Sequence, residues 1–290
     1  GMAVCTAASA LAVSFVGIIS FIGLVAPHAM RRFVGDDYRW LLPCSAAGGA
    51  LLVDNQARRC AWRGRCFTCA PGIEDALCWG QRPLLLSGEA DCLTLHAPDG
   101  MPEWTLHTGV EPRQLCLLPG GRCLAVAGGL SGEIRLVRLP ELTPLRSFPV
   151  PGAALCLAVR RGWLYAACAV GEEEIHCLLC RLSLRTGRLE TLRAFPGLPG
   201  ALAAGPEGAL YLGATERLYR FTGDPPQLGA LREGFGLPRR ILPLGGQVLV
   251  ADPVQEQALD AMLQKKPVTL YRGEVQDACI TSSVPGNPSP

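Results

Sequence analysis

Fourteen cysteines are the first residues that invite chemistry, as metal ligands or as disulfide partners. Their setting argues against both. Cys92, Cys116, Cys123, Cys156 and Cys168 lie inside apolar runs, where cysteine behaves as a small hydrophobe with a weak donor. Two pairs have C-x-x-C spacing, Cys66/Cys69 and Cys177/Cys180. Side chains alternate along an extended strand, so residues three apart point to opposite faces. That geometry defeats chelation by Cys177 and Cys180. Cys66 and Cys69 precede Pro71 and Gly72, and a turn there is the one arrangement that could gather two thiolates for zinc. The four histidines are His28, His96, His107 and His176. His96, His107 and His176 fall in strand-like runs without the serine and carboxylate neighbours of a hydrolytic triad. No phosphate-cradling glycine motif is present, and no residue pattern calls for a cofactor. Glu172–Glu174 reads as a solvated charge run in a turn.

The elements that position these residues repeat. Five segments end in glycines at 80, 121, 162, 208 and 246, spaced by 41, 41, 46 and 38 residues. Each glycine is followed by a second apolar run, such as Cys123–Ala127 or Trp163–Ala167, and then by a third, alternating run, such as Cys92–His96, Ile134–Leu139 or Leu218–Phe221. A fourth run closes most units, as in Glu103–His107 and Val268–Tyr271. Four short strands at a period near 40 predict β-propeller blades, about five between Glu74 and Tyr271. Val275–Ile280 reads as a further inner strand that either closes the ring or begins another blade, and 281–290 as a disordered tail. The layout is similar to WD-repeat and quinoprotein-like propellers in arrangement only, because the Gly-His and Trp-Asp signatures are absent.

Composition separates this repeat from what precedes it. The chain is 49% hydrophobic and 18% charged, with mean hydropathy +0.25 and a formal charge of +2 from 27 basic and 25 acidic residues. That apolar content excludes a disordered chain, and the balanced charge carries no nucleic-acid signature. The first 53 residues hold 34 hydrophobic ones and only five charges, and 1–29 carry none at all. A run of that length exceeds the ~20 residues that a membrane-crossing helix needs. Its small residues, Gly17 and Gly23 among them, suit close packing against other spanning helices. Arg31 and Arg32 follow directly, which places that end in the cytoplasm by the positive-inside rule. Leu41–Val53 is too short to span and reads as the start of a second helix.

One stretch carries a resemblance. From Gly17 the chain reads G-x-I-x-F-I-G-L-V-x-P-H-x-x-R, and from Gly35 it reads G-x-D-x-R-x-L-L-P-x-S-A. Over residues 3–53 this resembles the FecCD-type permease family of ABC importers for iron-siderophore complexes, haem and cobalamin. The resemblance implies a transmembrane helix, then a cytoplasmic loop that docks on the ATP-binding subunit. The loop residues would be Pro27, His28, Arg31, Arg32, Gly35, Asp37, Arg39 and Pro43. Pro27 is placed to break the helix at the interface, Gly35 permits a sharp turn, and Asp37 can cap the following helix or pair with Arg39.

The expected architecture is therefore mixed: a short α-helical permease segment (1–53), a junction (54–65), an all-β propeller (66–280) and a tail. The expected role is that of a permease component of an ABC importer at the cell membrane, with the propeller on the cytoplasmic side. Its partners would be an ABC ATP-binding subunit, further permease subunits, and a protein or ligand for the propeller. The alternative is a propeller binding module with a membrane tether and no transport. A propeller enzyme is disfavoured by the missing catalytic constellation, and the chain is read as a non-enzyme.

Overall fold

A computed structural model describes residues 51–54, 58–62, 65–244, 247–252, 257–260 and 268–272. The chain divides into two compact units, 1–69 and 70–290. The permease-like residues Gly17, Gly23, Pro27, His28, Arg31, Arg32, Gly35, Asp37, Arg39 and Pro43 lie outside the described residues, as do the proposed strand 275–280 and the tail. Among the described residues, no helix is long and apolar enough to cross a membrane.

In the first unit, β1 (Leu51–Asp54), β2 (Arg59–Trp62) and β3 (Arg65–Thr68) form an antiparallel three-stranded sheet in that order. This corrects the reading of Leu51–Val53 as helix: β1 pairs residue for residue with β2, from Leu51 with Trp62 to Asp54 with Arg59. A short apolar run is compatible with either state, and pairing decides it. The stretch read as a junction contributes to three paired strands, and the compact units divide after Cys69.

Among the described residues, the second unit holds five four-stranded antiparallel sheets. The first sheet is β4 (Ile73–Trp79), β5 (Arg82–Ser87), β6 (Cys92–His96) and β7 (Pro102–His107). The second is β8 (Gln114–Leu117), β9 (Cys123–Ala127), β10 (Glu133–Arg138) and β11 (Thr143–Pro149). The third is β12 (Ala153–Arg160), β13 (Trp163–Val170), β14 (His176–Ser183) and β15 (Leu189–Pro196). The fourth is β16 (Pro199–Ala204), β17 (Leu210–Ala214), β18 (Arg217–Thr222) and β19 (Gln227–Glu233). The fifth is β20 (Arg240–Leu244), β21 (Gln247–Asp252), β22 (Gln257–Asp260) and β23 (Val268–Arg272). Each is a meander in sequence order, as the glycine period of the sequence requires.

Burial grades across a sheet. In the first, β6 is buried throughout and β7 is almost wholly exposed, the gradient expected when middle strands are sandwiched between neighbouring sheets. The core consists of the layers between sheets. Leu84, Leu86, Leu93, Leu95, Leu124 and Val126 fill one layer. Tyr165, Phe195, Leu210, Tyr219 and Phe221 fill another, with the Phe195 and Tyr219 rings 4.6 Å apart. A bulge recurs at the third-to-fourth strand pairing of all five sheets, at Leu95/His96, Leu136/Val137, Leu179/Cys180, Arg220/Phe221 and Ala258/Leu259. Bulges bend a strand and strengthen its twist, so this shared irregularity gives each sheet the same local correction.

Candidate functional site

The chemically distinctive position is where the innermost strands meet. β4 would be an ordinary buried strand but for Asp75, a residue type that strands disfavour. A bulge between Ile73 and Asp75 turns that carboxylate aside. It is 3% exposed and accepts three hydrogen bonds: Arg240 Nη2 at 2.6 Å, Leu115 N at 2.8 Å and Ala76 N at 3.0 Å. Asp75 therefore links the first sheet to the second through Leu115, and to the fifth through Arg240. Gln114 continues the ring, its Oε1 accepting Leu157 N of the third sheet at 2.6 Å. Asp252, fully buried, accepts Gly236 N at 2.5 Å and Leu237 N at 3.0 Å, which fastens the loop between the fourth and fifth sheets. First and last sheets are thus in direct contact.

Two thiols feel this centre. Burial pushes Cys156 up to about 12 from its ordinary 9.0, with Arg240 and Arg239 opposing and Asp75 adding to the rise. Burial likewise pushes Cys116 up to about 12, and Asp75 again adds to it. Both are protonated at neutral pH, and an ion pair flanked by neutral thiols has neither a nucleophile nor a free base. Chemically, the arrangement acts as a clasp.

The remaining sequence-predicted residues are dispersed. Cys66 is exposed in β3, whereas Cys69, just beyond it, is buried and donates its backbone N–H to Arg58 O at 3.0 Å. Among the described residues no three His, Cys, Asp or Glu side chains gather as a metal would require. Cys177 and Cys180 both lie in β14 but face different layers: Cys177 packs with Cys156 and Leu179, while Cys180 hydrogen-bonds Cys168, which packs with Ala166 and Leu182. The hydrogen bond to Cys180 and burial raise the Cys168 thiol. Cys66, Cys92, Cys116, Cys123, Cys156, Cys168, Cys177 and Cys180 form no disulfide. His96 is buried and its pKa is lowered by burial, His107 is exposed in β7, and His176 Nδ1 lies 2.9 Å from Glu174 O. Glu172, Glu173 and Glu174 are exposed in the turn before β14.

Asp75, Gln114 and Arg240 were not among the predicted site residues. Their signal was present as Glu74-Asp75 and Arg239-Arg240 at the heads of otherwise apolar runs. A charge entering a buried strand needs a partner, but the partner lies 165 residues away, and periodicity does not connect them. A shallow depression of about 430 Å³ lies at the other end of the first sheet. It is lined by Trp79, Arg82 and Pro140. Arg82 there pairs with Glu103 at 2.9 Å, and Trp79 Nε1 donates to Gly121 O at 2.6 Å.

Comparison with known proteins separates the same two parts. Residues 1–54 match the FecCD transport family. The iron(3+)-hydroxamate import system permease protein FhuB of Bacillus subtilis is 51% identical over 53 residues, 18% of this chain and 14% of that protein. The cobalamin import system permease protein BtuC of Halobacterium salinarum is 54% identical over 63 residues, 21% of this chain and 17% of that protein. The hemin transport system permease protein HmuU of Yersinia pestis is 57% identical over 42 residues, 14% and 13% respectively. The chain thus spans between 13% and 17% of the length of these relatives. The N-terminal segment is permease-like in sequence.

Solved structures match the other part. A chain of Kuenenia stuttgartiensis hydrazine synthase superposes with a TM-score of 0.61 at 13% identity, covering 74% of this chain and 70% of that one. A chain of a nidogen/laminin complex gives 0.58 at 14% identity, covering 69% and 80%. At such identities the likeness is one of fold, and the fold is propeller-like.

Proposed function

We propose that this chain acts at the cell membrane as a permease-derived component of an ABC importer for iron-siderophore, haem or cobalamin-type ligands. Its β unit then serves as a cytoplasmic interaction module. The reading rests on one observation, the match of residues 1–54 to the FecCD transport family with relatives above 50% identity. In it, Pro27, His28, Arg31, Arg32, Gly35, Asp37, Arg39 and Pro43 form the loop that docks on an ATP-binding subunit, and Arg31 and Arg32 hold that loop on the cytoplasmic side. Further permease subunits supply the translocation path. The chain itself catalyses no reaction. The clasp supports a scaffold role for the β unit, since it stiffens a ring of sheets and leaves the end loops as the exposed surface for partners.

The test is co-purification of an ABC ATP-binding subunit with the full chain from membranes. Retention by the unaltered chain and loss on Arg31→Ala combined with Asp37→Ala are expected. Equal retention by both proteins refutes the docking role. The second reading, a tethered binding module without transport, draws on the small share of each relative that the chain spans. It is favoured if residues 61–290 alone retain the partner of the β unit and the full chain recruits no ATPase.

A further inference from the structure

The two ends of the β unit differ in charge, which the net value of +2 conceals. In a meander sheet, the first-to-second and third-to-fourth strand connections lie at one end. The second-to-third connections, and the crossings to the next sheet, lie at the other. The latter end is acidic: Glu89, Glu172, Glu173, Glu174 and Glu216 are exposed there, against one exposed base, Arg239, in the crossing to the fifth sheet. The former end is basic over the second and third sheets, where Glu141 is the exposed acid, while the connections of the first and fourth sheets at that end carry exposed Asp99, Glu207 and Asp224. Arg122 and Arg161 follow first strands, Arg138 ends a third strand, and Arg185 and Arg188 lie between β14 and β15; all five are exposed.

Three observations mark this basic end as a surface for phosphate. Of the five guanidinium groups, the ion pair found among the described residues is Arg188 with Glu190, at a loose 3.4 Å, and Arg181 already holds Glu190 at 2.8 Å. Behind the face, Arg160 is 4% exposed and donates only to backbone, from Nε to Gly208 O and from Nη2 to Gly223 O, both at 2.6 Å, while its buried Nη1 has no partner. A positive charge is therefore stored beneath the face without a carboxylate, and it adds to the field outside. Finally, the chain's 27 basic residues are arginines except for Lys265 and Lys266, and the planar guanidinium fork matches phosphate oxygens two at a time.

We propose that this basic end rests on an anionic phospholipid surface. The inference depends on the permease reading of residues 1–54 for its proximity to a membrane, whose cytoplasmic leaflet carries negative charge. A nucleic acid is the less suitable occupant, because base stacking needs exposed aromatic rings. The one strongly exposed aromatic residue among the described residues, Trp104, lies instead on the outer strand β7. The acidic end, repelled by the same lipid, turns away toward the aqueous side and favours a single orientation.

The experiment uses the full chain in nanodiscs of phosphatidylcholine, with or without phosphatidylglycerol, and reads hydrogen exchange of the loops at 118–122, 139–142, 161–162 and 184–188. Each arginine near such a surface strengthens association about fivefold. Slower exchange in the anionic discs alone is expected, reversed by raised salt. Arg122→Ala with Arg138→Ala should weaken it about 25-fold, as should Arg185→Ala with Arg188→Ala, each with an unchanged circular dichroism spectrum. Glu172→Gln with Glu174→Gln should leave it intact. Equal exchange in both discs, or protection that survives both arginine pairs, overturns the inference. So does stronger protection by a single-stranded oligonucleotide in phosphatidylcholine discs. A chain that fails to enter phosphatidylcholine discs refutes the membrane segment instead. In that event the same chain is mixed with phosphatidylglycerol vesicles: arginine-dependent sedimentation sustains the inference, and its absence overturns it.

Discussion

Replacing Asp75 by Ala should open the ring at the seam between the fifth and first sheets. The carboxylate is 3% exposed and holds Arg240, Leu115 N and Ala76 N at 2.6, 2.8 and 3.0 Å. Its removal strands two backbone donors, at about 1–3 kcal/mol each when buried. It also leaves a guanidinium that is 28% exposed, so water recovers part of that charge and the full cost of a broken buried pair, about 3–5 kcal/mol, is not reached through the ion alone. Together these predict a loss of about 4 kcal/mol, or a fall in Tm of about 8–16 °C for a unit of this size. Asp75→Asn keeps one acceptor for Leu115 and should lose about 2 kcal/mol. Arg240→Met leaves an ionised carboxylate buried and should lose about 3 kcal/mol. The decisive measurement is the double-mutant cycle by urea unfolding of the full chain in detergent. Asp75→Ala with Arg240→Met should fall short of the sum of the singles by more than about 1 kcal/mol, as groups in direct contact do. Additivity within about 0.5 kcal/mol, or a loss below about 1 kcal/mol for Asp75→Ala, would refute the clasp.

Gly129 sits at φ +52, and a Cβ there would lie 1.7 Å from Glu111 O. Gly129→Ala should therefore cost more than about 3 kcal/mol through clash and strain, visible as reduced folded yield and a lowered urea midpoint; a loss under 1 kcal/mol contradicts the packing. Burial lowers the pKa of His96 from the ordinary 6.5, so on acidification the unfolded chain takes up a proton that the folded one refuses. Stability from this group is complete above about pH 6.5 and falls below it by up to about 1.4 kcal/mol per pH unit, and the stability gap between the unaltered chain and His96→Gln should change with pH in that window and stay flat above it. Cys156, pushed up to about 12 from 9.0, should carry a thiolate fraction about a thousandfold below that of an ordinary thiol. Alkylation mapped by mass spectrometry should then find exposed Cys66 modified early and Cys156 only on unfolding.

The repeat was legible in the sequence because each sheet reuses the same local grammar. Cys92–His96 was read as a third strand and is β6 with those bounds, and Glu103–His107 corresponds to β7, which starts one residue earlier at Pro102. Apolar alternation and closing glycines are short-range signals, so they survive reading one segment at a time. Leu51–Val53 reads as the start of a helix yet belongs to β1, for the complementary reason. Three apolar residues in a row suit either state, and what decides them is a partner strand beginning at Arg59, in a stretch whose composition had suggested only a junction. The shared bulge of the third strands was invisible as well, because five different residue pairs occupy it. The clasp was the hardest to see, since pairing Asp75 with Arg240 requires knowing that the last sheet comes back to the first.

That return also explains why an ion pair suits this position. Every other seam joins sheets that are consecutive in the chain, so a short connection keeps the neighbours together even when their packing loosens. The second and third sheets share a backbone bond from Gly129 N to Ala154 O at 3.1 Å. The third and fourth share the Arg160 bonds to Gly208 and Gly223, and Arg181 reaches Asp224 at 3.1 Å. Among the described residues the fifth and first have no such connection, and loss of contact there separates them at the entropic cost of the whole intervening chain. Apolar packing is non-directional and tolerates a sliding seam, whereas a carboxylate with three defined donors sets one register. Opening should therefore begin at this seam, as a local event below the global unfolding free energy. In native-state hydrogen exchange of Arg240→Met, which cuts the bond between the fifth and first sheets, the amide of Arg239, bonded to Ala251 O in the fifth sheet, should lose protection before the amide of Leu157, bonded to Gln114, does. The reverse order would place the weak seam elsewhere in the ring.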